Sequence, residues 1–184
     1  MSKRVPNLLD GYNKVTVISP IAFIFVHAIT KQHSPKPSED AISVKKFVQN
    51  FYDWYTPRAL KADNEMRTLT EKAAMFTPQL RQALIEDRRA QEKVSDEIVG
   101  LDFDPFLNSQ DPAEKYTVKK VEHKGNAWLA TVFGRYKGQK EDTDASVVAQ
   151  VERTKTGWRF TNFIYGKDNL LSELKQLKKD REKH

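Results

Sequence analysis

The chain contains no cysteine. Disulfides, thiol chemistry, thiolate zinc sites and a lipid-modified cysteine near the N-terminus are therefore excluded. Glycine is scarce, at 7 of 184 residues, and no glycine-rich phosphate loop occurs. Neither an HExxH pair nor a nucleophile elbow is present. The histidines are scattered: His27 in an apolar run, His33 in a polar stretch, His123 in a charged segment and His184 at the end. No repeat or low-complexity run appears. No apolar run reaches the roughly 20 residues of a membrane-spanning helix.

What is present describes a folded domain. Hydrophobic residues make up 39% of the chain and charged residues 30%, with a formal net charge of +6. That composition and length suit a single globular domain. The positive charge permits acidic partners without requiring them.

The run "VTVISPIAFIFVHAI" fills 15–29, after Lys3, Arg4 and Lys14. Its length suits the apolar region of a signal peptide, ending at small Ala28. The expected organisation is 1–28 as a signal peptide or membrane anchor, 29–40 as a linker and 41–184 as one domain. An intracellular accessory role follows if 15–29 is core instead.

Ser38 is placed to cap the next helix, with Glu39 and Asp40 at its positive end. In "AISVKKFVQNFYDWY", Val44, Phe47, Val48, Phe51 and Trp54 or Tyr55 recur at helical spacing. Phe47, Phe51 and Trp54 are expected to face a sheet, against Trp128 or Trp158. Pro57 is expected to stop this helix. A weaker helix is expected over 64–76, and Thr77-Pro78 opens another that buries Leu80, Leu84 and Ile85. The period then changes to two. "YTVKKVEHKG", "NAWLATVFGRY", "ASVVAQVERT" and "GWRFTNFIYG" read as four antiparallel strands. A C-terminal helix follows from 168. Helices first and a curled meander second make an α+β domain.

One stretch has its own texture. "GLDFDPFLNSQDP", 100–112, mixes Asp102, Asp104, Asn108, Gln110 and Asp111 with two prolines and large apolar residues. Asp102 and Asp104 begin like a calcium loop, but Pro105, Phe106 and Leu107 break the pattern. In an extended segment the same two carboxylates share a face, as an acid–base pair needs. Structurally, Asp104-Pro105 and Asp111-Pro112 are turn starters, and Leu101, Phe103, Phe106 and Leu107 can plug the open end of a sheet. Arg88, Arg89 or Arg159 is expected to pair with a carboxylate there. The structural reading is preferred. Tyr52 belongs to an aromatic cluster and is a candidate to project its hydroxyl into a pocket. The basic end "KQLKKDREK" contains Asp180 and Glu182 and reads as a solvated helix end, not a nucleic-acid contact.

The pieces "VKKFVQNFYDWY", "FTPQLRQALIEDR", "LDFDPFLNSQD", "YTVKKVEHKGNAWLATV" and "GWRFTNFIYG" with "LLSELK" resemble the DUF3828 family, bacterial proteins of unknown function within the nuclear-transport-factor-2-like (NTF2-like) superfamily. The resemblance covers roughly 42–177. It implies an NTF2-like cone, with N-terminal helices packed on a curled four-stranded antiparallel sheet, plus a C-terminal helix. It also implies a place in the Gram-negative envelope: periplasmic, or inner-membrane anchored. It supplies no reaction. The expectation is an exported domain that binds an envelope protein or small ligand without catalysis. It carries no cofactor and no metal, and a second copy of the chain can pair through the sheet. The alternative is a small hydrolase or isomerase using the acids of 102–111.

Overall fold

In a computed structural model of the chain, residues 38–61, 65–140 and 145–183 are described. All of them belong to one unit, Lys36–His184. The expected export segment at 15–29 and most of the linker lie outside the described residues. Among those described, no helix is long and apolar enough to cross a membrane.

Helix α1, Glu39–Ala59, starts where its cap dictates. The Ser38 hydroxyl accepts a hydrogen bond from the Ala41 amide at 3.2 Å, satisfying one of the free donors of the first turn. The helix thus takes the last two residues of the expected linker. Its apolar stripe buries Val44, Val48, Phe51, Tyr52 and Tyr55. Contrary to expectation, α1 runs through Pro57. A proline this close to the C-terminus costs the bond to the Asp53 carbonyl, which lies on the exposed side. The neighbouring carbonyls are held regardless. The Thr56 hydroxyl donates to Tyr52 O and the Arg58 guanidinium to Trp54 O, at 2.7 and 2.8 Å.

The expected second helix is a short α2, Glu65–Glu71, followed by a 3-10 turn at Ala73–Met75. Helix α3, Pro78–Gln91, has Thr77 as its cap and buries Leu80, Leu84 and Ile85. The strands are β1 Lys115–Lys124, β2 Ala127–Arg135, β3 Ala145–Thr154, β4 Gly157–Tyr165 and β5 Asp168–Asn169. They form one antiparallel sheet in sequence order. The sheet has five strands, not the expected four. Gly166 turns the chain at φ +61°, so Asp168 and Asn169 fold back on β4 before Asn169 caps α4, Leu170–Arg181. Register shifts interrupt all three main pairings, at Val118/Lys120, Val132/Phe133 and Gln150/Val151. Such bulges bend and twist the strands that carry them.

The inner face of the sheet carries Val118, Ala130, Val132, Val147, Ala149, Val151, Phe160 and Phe163, all buried. Helix α1 lies on it. Phe47 and Phe51 each meet the Phe160 ring at 4.9 Å. They thus reach β4 through Phe160, not through Trp128 or Trp158. Trp54 does not join them. The Arg58 guanidinium and the Lys72 ammonium lie over its ring, 4.1 and 4.6 Å from the centroid. These cation–π contacts hold a half-buried indole at the surface. Helix α4 closes the domain beside α3, where Arg181 Nη1 meets Asp87 Oδ1 at 2.6 Å.

Candidate functional site

The 100–112 stretch is an ordered loop tied down at each end. At its entrance, Gln91 Oε1 accepts from the amides of Val99 and Gly100, and Asp87 Oδ2 accepts from the amide of Leu101 at 2.9 Å. A Cβ on Gly100 would stand 2.9 Å from that same Asp87 oxygen, so the close approach requires glycine. Arg181 holds the other Asp87 oxygen and also donates to Val99 O at 2.7 Å. Helices α3 and α4 therefore both hold the start of the loop.

Asp104 organises the middle. Its Oδ1 accepts from the amides of Phe106 and Leu107 at 2.9 and 3.1 Å, the geometry of an Asx turn. Its backbone bridges to Ser109, and Asn108 adopts the left-handed φ of 50° that closes the turn. Tyrosines fasten this turn from outside. Tyr55 donates to Asp104 Oδ2 at 2.5 Å, Tyr52 to Phe106 O at 2.8 Å and Tyr165 to Pro105 O. Phe106 and Leu107 are fully buried. The Phe106 ring meets Phe51, Tyr55 and Phe163 at 5.1 to 5.5 Å.

The outer side of the same loop borders a cleft of about 700 Å³, within the roughly 300–1,000 Å³ of small-molecule sites. Tyr55 and Ala59 of α1, Glu65 of α2, Arg88 and Gln91 of α3, Ile98, and much of 101–112 form its walls. Asp102, Asp104 and Gln110 line it, so the first two carboxylates do share one side. Gln110 Nε2 donates to Asp102 Oδ2 at 3.3 Å. The other candidates stand elsewhere. Asn108 is exposed and donates to Ser146 O. Asp111 is exposed and engages only through its backbone. Tyr52 is buried in the core; Tyr55, one position further round from Trp54, takes the place expected of it at the cleft. The expected arginine partners are absent as well. Among the described residues no ion pair joins Arg88, Arg89 or Arg159 to a loop carboxylate, and Arg88 bonds Glu92 on its own helix.

Glu65 was not legible as a site residue. It opens α2 and lies in the wall of the cleft. Its Oε1 is shut from solvent and has no hydrogen-bond partner among the described residues. Burial pushes its carboxyl up to about 8, helped by the negative Asp104 and Asp87 and opposed by Arg88. Asp104 rises to about 6, because burial outweighs the bonds from Tyr55, Phe106 and Leu107 that favour its charged form. Burial also pushes the Tyr55 hydroxyl far above its ordinary value, so it stays a donor to Asp104. Near neutral pH the cleft thus holds a protonated Glu65 beside an ionised Asp104. Among the described residues no group of three His, Asp or Glu side chains is placed to hold a metal.

Comparison with known proteins gives no matching family model, no matching curated protein and no matching solved structure.

Proposed function

We propose that this chain is a non-catalytic binding domain of the NTF2-like kind, and that the cleft beside 100–112 takes a small polar ligand. The observation that carries the reading is Glu65, whose carboxyl lies in the wall of an open cleft with its buried Oε1 unpartnered among the described residues. Such an atom costs about 1–3 kcal/mol while unpaired. A ligand group paired with the same carboxyl would offset that loss. The loop supports the reading from below. Its acids are fixed by backbone amides, tyrosines and Gln110, which gives the preorganised floor a binding site needs.

The NTF2-like assignment rests on the resemblance and on the order of helix α1 lying against a bulged antiparallel meander. Delivery to the bacterial envelope rests on the apolar run at 15–29. Mass spectrometry of protein from its native cell should find a chain beginning near Ile29. A soluble species of full mass would argue for the intracellular accessory role instead.

The hydrolase or isomerase reading keeps one specific support: Glu65 and Asp104 sit in one cleft with their titrations set apart, at about 8 and about 6. Against it, Asp104 already accepts three hydrogen bonds and holds the loop. A base so engaged gives up its structural role when it takes a proton.

The test is a thermal-shift screen of the full chain with small amines, acids and neutral polar molecules, repeated on Ala59→Phe. Ala59 lines the cleft from the last turn of α1, and a phenyl ring there fills space while every acid stays in place. A ligand that raises Tm in the natural chain and not in Ala59→Phe supports the site. Equal shifts in both, or no shift from any compound, would remove it.

A further inference from the structure

The chain is basic overall, at +6, yet the cleft is acidic. Glu65, Asp102 and Asp104 line it, and Arg88 is the one cation among its described lining residues. Its Nε donates to Glu92 on the same helix at 3.4 Å. Gln91 is spent at the loop entrance, where its amide donates to Glu97 O and its oxygen accepts from Val99 and Gly100. The lining of the cleft therefore sets three carboxyl groups against one guanidinium. Its other walls are apolar, with Leu101, Phe103 and Ile98. Ile98 is 71% exposed, the most exposed large hydrophobic side chain among the described residues.

We infer that the cleft takes a small molecule carrying a protonated amine on a short apolar body. The ammonium donates to Glu65 and lies beside Asp104, while the body rests on Leu101, Phe103 and Ile98. This rests on the cleft being a ligand site and goes on to name the ligand's class. Glu65 Oε1 is shut from solvent, so the ammonium meets the carboxyl at its other oxygen. The match is one of charge and shape together. A carboxylate ligand would meet three carboxyl groups against one arginine.

Binding of a cation carries a proton signature. The groups that face Glu65 are Asp104 from the loop, Asp87 and Arg88 from α3, Tyr55 from α1 and Tyr165 from β4. Glu65 titrates near pH 8 and Asp104 lower, at about 6. An ammonium against Glu65 favours its charged form, so binding at pH 7 expels the Glu65 proton. Affinity then rises with pH, by roughly twenty-fold between pH 6.5 and pH 8.5, until Glu65 is ionised in the empty cleft.

Isothermal titration of the full chain with benzylammonium, benzyl alcohol and phenylacetate at pH 6.5 and 8.5 tests this. Expected is preferential binding of benzylammonium, tighter at the higher pH. In buffers of different ionisation enthalpy at pH 7, the heats should report release of about one proton per ligand bound. Glu65→Gln should weaken benzylammonium about tenfold or more at pH 8.5 and abolish the proton release. Ala59→Phe should prevent binding altogether. If benzyl alcohol or phenylacetate binds more tightly and Ala59→Phe blocks it, the cleft stands and the amine assignment is wrong. If benzylammonium binds equally to Ala59→Phe, both are wrong. Binding without proton release, or unchanged in Glu65→Gln, also overturns the role given to Glu65.

Discussion

Two carboxyl groups carry opposite duties. Asp104 is saturated by donors that hold its turn; Glu65 Oε1 is buried with none among the described residues. The difference shows in stability. The unfolded chain releases the Glu65 proton near its ordinary 4.5, whereas the folded protein keeps it to about 8. Across that window the native state binds more protons, so stability falls as pH rises and levels off above pH 8. Asp104 adds a smaller fall between 3.8 and about 6. Glu65→Gln should flatten the upper part of the profile. The variant should match the natural chain near pH 4 and exceed it at pH 8.5 by on the order of a few kcal/mol. Denaturant midpoints at pH 4, 6.5 and 8.5 provide the check, and a steep fall that persists in the variant would remove Glu65 as its source.

Asp104 should answer to a different substitution. Asp104→Ala leaves two amides and the Tyr55 hydroxyl without their acceptor and should cost about 2–4 kcal/mol. Asp104→Asn keeps one oxygen for the turn and should cost less than about 1 kcal/mol. Asp111 is exposed and its carboxylate holds nothing, so Asp111→Asn should stay within about 0.5 kcal/mol. Calcium should move none of these melts. A calcium-dependent rise in the natural chain that Asp104→Asn loses would restore the metal-loop reading.

At the scale of elements, α1 is the strut on which the site is built. Its inner face supplies Phe51 to the core and Tyr52 and Tyr55 to the loop. Phe51→Ala removes a ring that meets Phe76, Phe106 and Phe160, and should cost about 3–5 kcal/mol. An unchanged melt would mean that this face of α1 is not the buried one. The amphipathic period of α1 and the alternation of the main strands are long patterns, and long patterns survive in a sequence. Ser38 and Thr77 were readable as caps because capping is a local bond. The two-residue β5 was not, since no period fits in two residues. Pro57 misled because its missing bond falls on the exposed side of a last turn already held by Thr56 and Arg58. Trp54 misled because its position fits the apolar stripe, while two cations from different elements decide its environment. Of the site, the 100–112 loop stood out through its texture of acids, prolines and aromatics. Glu65 did not. It opens a seven-residue helix, and only the fold brings it beside Asp104.

For the whole molecule, the arrangement places an acidic recess in a basic chain. Attraction of a cation to it is local, because charges further apart than about 8 Å are screened at physiological salt. Specificity therefore depends on the contact between ammonium and carboxylate, and on the apolar rim at Ile98. The central claim is that this recess, and no other part of the surface, is where the protein binds a small amine. Amide chemical shifts of the isotopically labelled full chain, followed as benzylammonium is added at pH 8.5, test it most directly. The account predicts saturable shifts at Tyr55, Glu65 and the amides of 98–107, absent in Ala59→Phe. Shifts confined to the groove of Ala90, Val94 and Leu177, or no saturable shift at all, would contradict it.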